Sequence, residues 1–123
     1  MKDYSGDNKR VLQTKSYSFA LRTIKLYNYL KETKAEYALS RQLLRSGTAI
    51  GALVSESEFA QSKADFANKL SVSLKEANET RYWLRLMKDS KFISEEEFSS
   101  INPDIEEIIK LLVASIKTAK RTD

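Results

Sequence analysis

The sequence predicts a single all-α domain, an antiparallel up-down four-helix bundle. Two observations carry that prediction. The chain of 123 residues contains only 3 Gly and 1 Pro, too few for the many turns a sheet protein needs. Four segments repeat apolar residues at three- and four-residue steps, the spacing that gathers side chains on one face of a helix. The length suits one domain with one core, and 41% hydrophobic with 31% charged residues is a core-forming composition rather than a disordered one.

Residues 1–14 are polar and aperiodic and read as a mobile N-terminal arm, leaving 15–121 as the bundle domain. The first helix is expected from Ser16 or Ser18 to Glu32, with Tyr17, Ala20, Leu21, Ile24 and Tyr27 as its core seam. Phe19, Leu26 and Leu30 add apolar surface on a neighbouring face, which suggests burial on more than one side. Thr33-Lys34-Ala35 forms the turn into a second helix that runs to about Phe59, with Leu39, Leu43, Ser46, Ile50 and Leu53 as its stripe. Gly47 and Gly51 lie inside it among small neighbours. Each costs about 1 kcal/mol against Ala, so they mark either close approach of another helix or a kink.

Ser62 and Asp65 read as the start of a third helix. Its seam, Phe66, Leu70, Ser73, Ala77, Thr80, Leu84 and Met87, alternates steps of four and three. Ser94 and Glu97 form a capping box for a short helical turn. Pro103 is expected to interrupt it and open the fourth helix at N1 with Asn102 as cap. Ile105, Ile108, Ile109, Leu112 and Ile116 would then form the last seam.

The chain has no Cys and no His, which removes thiolate and imidazole chemistry together, including the usual general base. A bundle invites a di-iron site. Glu56, Glu76 and Glu79 could face inward, but the Glu-x-x-His signature fails without His. No Gly-rich phosphate loop occurs. The expectation is no enzyme, no cofactor and no metal. The N-terminus shows no apolar signal region and no apolar run approaches the roughly 20 residues of a membrane span, so the expected compartment is the cytoplasm, with no membrane partner.

Charge is unevenly placed. Residues 1–45 hold ten Lys or Arg against four acids, a net +6, whereas residues 46–123 hold eleven against thirteen, a net −2. Lys15, Arg22, Lys25, Lys31, Lys34, Arg41 and Arg45 are therefore the candidate nucleic-acid-binding residues. Tyr17, Phe19, Tyr27 and Tyr29, interleaved with them, read better as core than as base-stacking groups. The second apolar faces point to self-assembly, with Phe19, Leu26, Glu76, Glu79 and Trp83 as candidate oligomer-interface residues. Glu76 and Glu79 would then meet Arg45 or Arg81 of a neighbouring copy.

Gln42-Leu43-Leu44-Arg45-Ser46-Gly47-Thr48-Ala49-Ile50-Gly51-Ala52 resembles the "QLxRSxxSIxAN" stretch of the 23S rRNA intervening-sequence protein family. Asp65-Phe66 and Lys75-Glu76-Ala77-Asn78-Glu79-Thr80-Arg81-Tyr82-Trp83-Leu84 resemble its "DF…KEAxETxYWL" block. The likeness covers residues 16–120. Ala49 and Leu53 depart from the family's usual Ser and Asn. The resemblance implies an antiparallel four-helix bundle assembling as a ring-like homopentamer without a catalytic site. It also implies a likeness to the accessory protein of diversity-generating retroelements, and with it nucleic acid and a protein partner such as a reverse transcriptase. Two functions follow as expectations: an RNA- or nucleic-acid-binding homo-oligomer, or a scaffold docking a protein partner on its ring.

Overall fold

The computed structural model describes residues 4–121, with side chains from residue 8 onward. Four helices follow one another: α1 (Tyr4–Lys34), α2 (Ala38–Ser57), α3 (Lys63–Asp89) and α4 (Glu95–Arg121). Each packs on its chain neighbours and α1 closes on α4, while the diagonal pairs stay further apart. Short turns between successive helices make this the antiparallel up-down bundle that the periodicity implies.

The third helix forms as its sequence dictates. Leu70, Ser73, Ala77, Thr80, Leu84 and Met87 are all buried. The Ser62 hydroxyl caps the helix by accepting the Asp65 N–H at 3.0 Å. In the second helix Leu43, Ser46 and Ile50 are buried, with Leu39 half-buried against them. Both glycines answer to close approach rather than to a kink. A Cβ on Gly47 would stand 2.6 Å from Thr23 Cγ2, and one on Gly51 would stand 3.2 Å from the Ser16 carbonyl oxygen. The Thr23 side chain therefore occupies the space a Cβ at position 47 would need, and the α1 backbone lies against Gly51 more tightly than an ordinary Cβ contact. The start of α2 is capped by a residue the sequence reading overlooked. The Glu36 carboxylate accepts the N–H groups of Ala38, Leu39 and Ser40 at 2.7–3.1 Å, filling the unsatisfied first turn with negative charge.

The first helix departs from expectation twice. It is helical from Tyr4, so the segment to residue 14 read as an arm is its opening three turns, with Met1–Asp3 outside the described residues. Its seam is Leu12, Ser16, Phe19, Thr23, Leu26 and Leu30, at steps of four, three, four, three and four. All are buried except the half-buried Leu26. The expected seam is turned outward: Tyr17 is 68% exposed, Leu21 47% and Ile24 42%. The reason is the close contact with α2. Ser16 and Thr23 are core positions because small side chains fit opposite Gly51 and Gly47, and hydroxyl residues break the apolar pattern that would have marked that face.

The last helix is also longer than expected. The capping box forms, with Ser94 N–H to Glu97 Oε1 at 2.8 Å and Glu97 N–H to Ser94 Oγ at 3.0 Å. It opens α4 itself, and Pro103 sits inside the helix rather than at its start. Proline removes one backbone donor and crowds the carbonyl four residues back. Arg22 of α1 binds at this turn, donating to the Ser100 carbonyl at 3.0 Å, Ser100 Oγ at 2.9 Å and Asp104 at 2.7 Å. Ile101, Ile105, Ile108, Leu112 and Ile116 complete the core.

Candidate functional site

The basic side chains of the first half meet three different fates. Lys15 pairs with Glu107 at 3.2 Å and Arg22 with Asp104 at 2.7 Å, so α4 acids neutralise the α1 face beside them. Arg45 is held by Glu76 and Glu79 of α3. These three tie neighbouring helices together within one chain. The charge count along the chain missed this because the compensating acids lie on other helices, 82 residues on for Arg22 and 31 and 34 residues on for Arg45. Lys25 stands alone on the α4 side of α1, exposed beside Leu26, Tyr29 and Glu97.

Lys34 and Arg41 are exposed and Lys31 sits 5.0 Å over the Tyr27 ring, a contact that leaves its charge in place. These three share the end of the bundle where α1 turns into α2, together with Tyr37, itself more than half exposed. Together with Lys25, these turn-end cations are the members of the predicted basic set with no ion pair among the described residues.

The expected interface residues are also sorted by the fold. Phe19 is 1% exposed and Leu26 packs against the core, so both are interior positions and Phe19 offers nothing to a neighbour. Glu76 accepts from Arg45 Nη1 at 3.1 Å. Glu79 accepts from Arg45 Nη2 and, at 3.0 Å, from the indole N–H of Trp83. The bond from Arg45 chiefly, and then that from Trp83, holds the Glu79 carboxyl below its ordinary range, and the same Glu79 bond raises Arg45. Arg81 is taken by Glu106 at 3.0 Å and Asn78 at 2.8 Å. The ion pairs expected across copies are therefore satisfied within one chain. Proximity explains it: Glu76 and Glu79, one turn apart on α3, both lie beside Arg45 of the adjacent α2.

What the sequence reading missed is an outward groove between α1 and α2. Tyr17, Ala20, Leu21 and Ile24 form one wall, and Thr48, Gly51, Ala52 and Ser55 the other, around a volume of about 500 Å³. Large apolar side chains stand beside small ones, the relief that another helix can enter. The signal was present in the wide stripe of α1, but the stripe was assigned to the wrong side. Among the described residues no three carboxylates gather as a metal site, and no helix is long and apolar enough to cross a membrane.

Comparison with known proteins matches residues 8–114 to the family model described as 23S rRNA-intervening sequence protein. A solved structure is similar throughout: a protein of unknown function from the S23 ribosomal protein family of Bacteroides thetaiotaomicron VPI-5482. It is 50% identical, with a TM-score of 0.88 over 89% of this chain and 98% of that one. No curated protein matches. The chain belongs to the 23S rRNA-intervening sequence protein family.

Proposed function

We propose, from membership of that family, that this chain is a non-catalytic cytoplasmic module that self-assembles and binds RNA or other nucleic acid. One observation carries the reading. The outward row Tyr17, Leu21 and Ile24 continues, seven residues on, to Lys31, so the apolar groove and the uncommitted turn-end cations share the α1–α2 side. Copies associating through the groove, five in the family's expected ring, would collect several sets of Lys31, Lys34 and Arg41. Phosphate contacts weak in one chain then add through avidity. The names of the family and of its S23 ribosomal neighbour point to an RNA setting.

The test has two arms. Light scattering of the native chain should give a mass several times 14.1 kDa, and Leu21→Glu should reduce it toward one chain without lowering the melting temperature. Binding to a structured RNA should weaken steeply with salt, and Lys34→Gln with Arg41→Gln should flatten that dependence. A monomeric native protein, or binding indifferent to salt, would sink the proposal. A protein-docking scaffold is the second reading. It is favoured by the exposed Val72 and Tyr82 on α3, with the Tyr82 ring edge-on to Trp83 at 5.2 Å, away from the groove.

A further inference from the structure

The opposite end of the bundle carries a site that neither the groove nor the turn-end cations explain. There the start of α3, the α2–α3 turn and the outer ends of α1 and α4 surround a cleft of about 360 Å³. That falls within the roughly 300–1,000 Å³ of small-molecule sites. Its walls include Lys9, Ser57, Gln61, Phe66, Ser115 and Thr118. Lys9 Nζ lies 4.8 Å over the Phe66 ring, so a cation and an aromatic face are set together. The Ser115 side-chain oxygen is buried and has no hydrogen-bond partner among the described residues, although buried hydroxyls ordinarily find one. Lys120 lines an adjoining depression that shares Lys63 and Ala119 with the cleft. Glu58 on the rim and Asp65, which accepts the Gln61 N–H at 3.1 Å, are the acids nearby.

Phe59, 83% exposed, follows Glu58 and precedes Ala60, which both line the cleft. Its backbone is ordered: the Phe59 N–H bonds the Glu56 carbonyl at 3.0 Å and the Ala60 N–H bonds that of Ser57 at 3.2 Å. A free-standing ring on a fixed turn, beside a cationic cleft of ligand size, is the combination that holds an unstacked base by its face and its phosphate by charge. A duplex hides its base faces and cannot use such a ring.

We propose that this end of the bundle binds an unpaired nucleotide within a single strand, with Phe59 stacking on the base and Lys9 and Lys120 contacting the phosphates. The site lies about 37 Å along α1 from Lys34, so it stands or falls separately from the turn-end contacts of the proposed function. Fluorescence anisotropy of a short dye-labelled oligouridylate at low salt tests it, with the full chain and an unlabelled duplex as competitor.

The expected result is single-strand binding that the duplex does not displace. It should weaken about tenfold in Phe59→Ala, be retained in Phe59→Trp, and weaken in Lys9→Gln with Lys120→Gln. It should persist in the Lys34→Gln, Arg41→Gln variant, which separates it from the turn end. Phe59 is so exposed that its replacement leaves the fold intact, which a melting curve checks. Unchanged affinity in Phe59→Ala, equal competition by duplex, or full competition by uridine monophosphate at comparable concentration would each overturn the assignment.

Discussion

The two sides of α2 are held by different physics. Toward α1 the contact is one of shape: Gly47 and Gly51 admit Thr23 and the Ser16 backbone, and the outer rim is left as an open apolar groove. Toward α3 the contact is polar. Ser73 Oγ donates to the Ile50 carbonyl at 3.0 Å, the hydroxyls of Thr80 and Ser46 lie 2.8 Å apart, and the outer rim is closed by Arg45 on Glu76 and Glu79. A rim closed by its own ion pairs has little left for a partner, whereas an open one does. That contrast, more than the charge of the segment, is why the self-assembly proposed above is assigned to the groove.

The shape side should be the more fragile. Gly47→Ala is expected to lose about 1–2 kcal/mol, because overpacking against Thr23 outweighs the gain in helix propensity. Thr23 is β-branched, buried and bonded to the Phe19 carbonyl at 2.8 Å, so it has no room to turn aside. In a Thr23→Ala background the same change should be neutral or stabilising. Denaturant unfolding of the four proteins measures the coupling, and additive effects would show that closeness to Thr23 is not why glycine stands there.

On the polar side the expected losses are smaller. Thr80→Val removes a hydroxyl at nearly constant shape and leaves Ser46 facing an apolar group, a cost of about 1 kcal/mol. Adding Ser46→Ala should recover most of it, since removing both partners is cheaper than removing one. A double variant as weak as the sum of the singles would mean that the hydroxyl pair contributes through packing instead.

Arg45→Met should cost the least, below about 1 kcal/mol, because the guanidinium side chain is about half exposed to solvent. Its signature is in pH. Glu79 is depressed in the folded state, so its contribution is fully present above the unfolded carboxyl value and is lost as pH falls through the lower folded value. Arg45 stays charged throughout that window. The stability gap between the parent chain and Arg45→Met should therefore be constant near neutrality and close below about pH 4.5. A gap that does not narrow on acidification below that value would deny Glu79 that role.

Sequence alone determined the helical class, the number of helices, the α3 seam from Leu70 to Met87 and both caps at Ser62 and Ser94. These depend on periodicity and on side chains bonding three or four residues away, information that is local by nature. Tertiary structure decided the rest. The face of α1 that enters the core was set by where α2's glycines allow approach, so Phe19 moved inside and Tyr17, Leu21 and Ile24 moved out. Pro103 is tolerated inside α4, where Arg22 from another helix braces the turn. The neutralisation of Lys15 and Arg22 needed Glu107 and Asp104 to arrive from the far end of the chain. Each outcome turns on a pairing between segments distant in sequence, and one-dimensional order carries no record of which segments will meet.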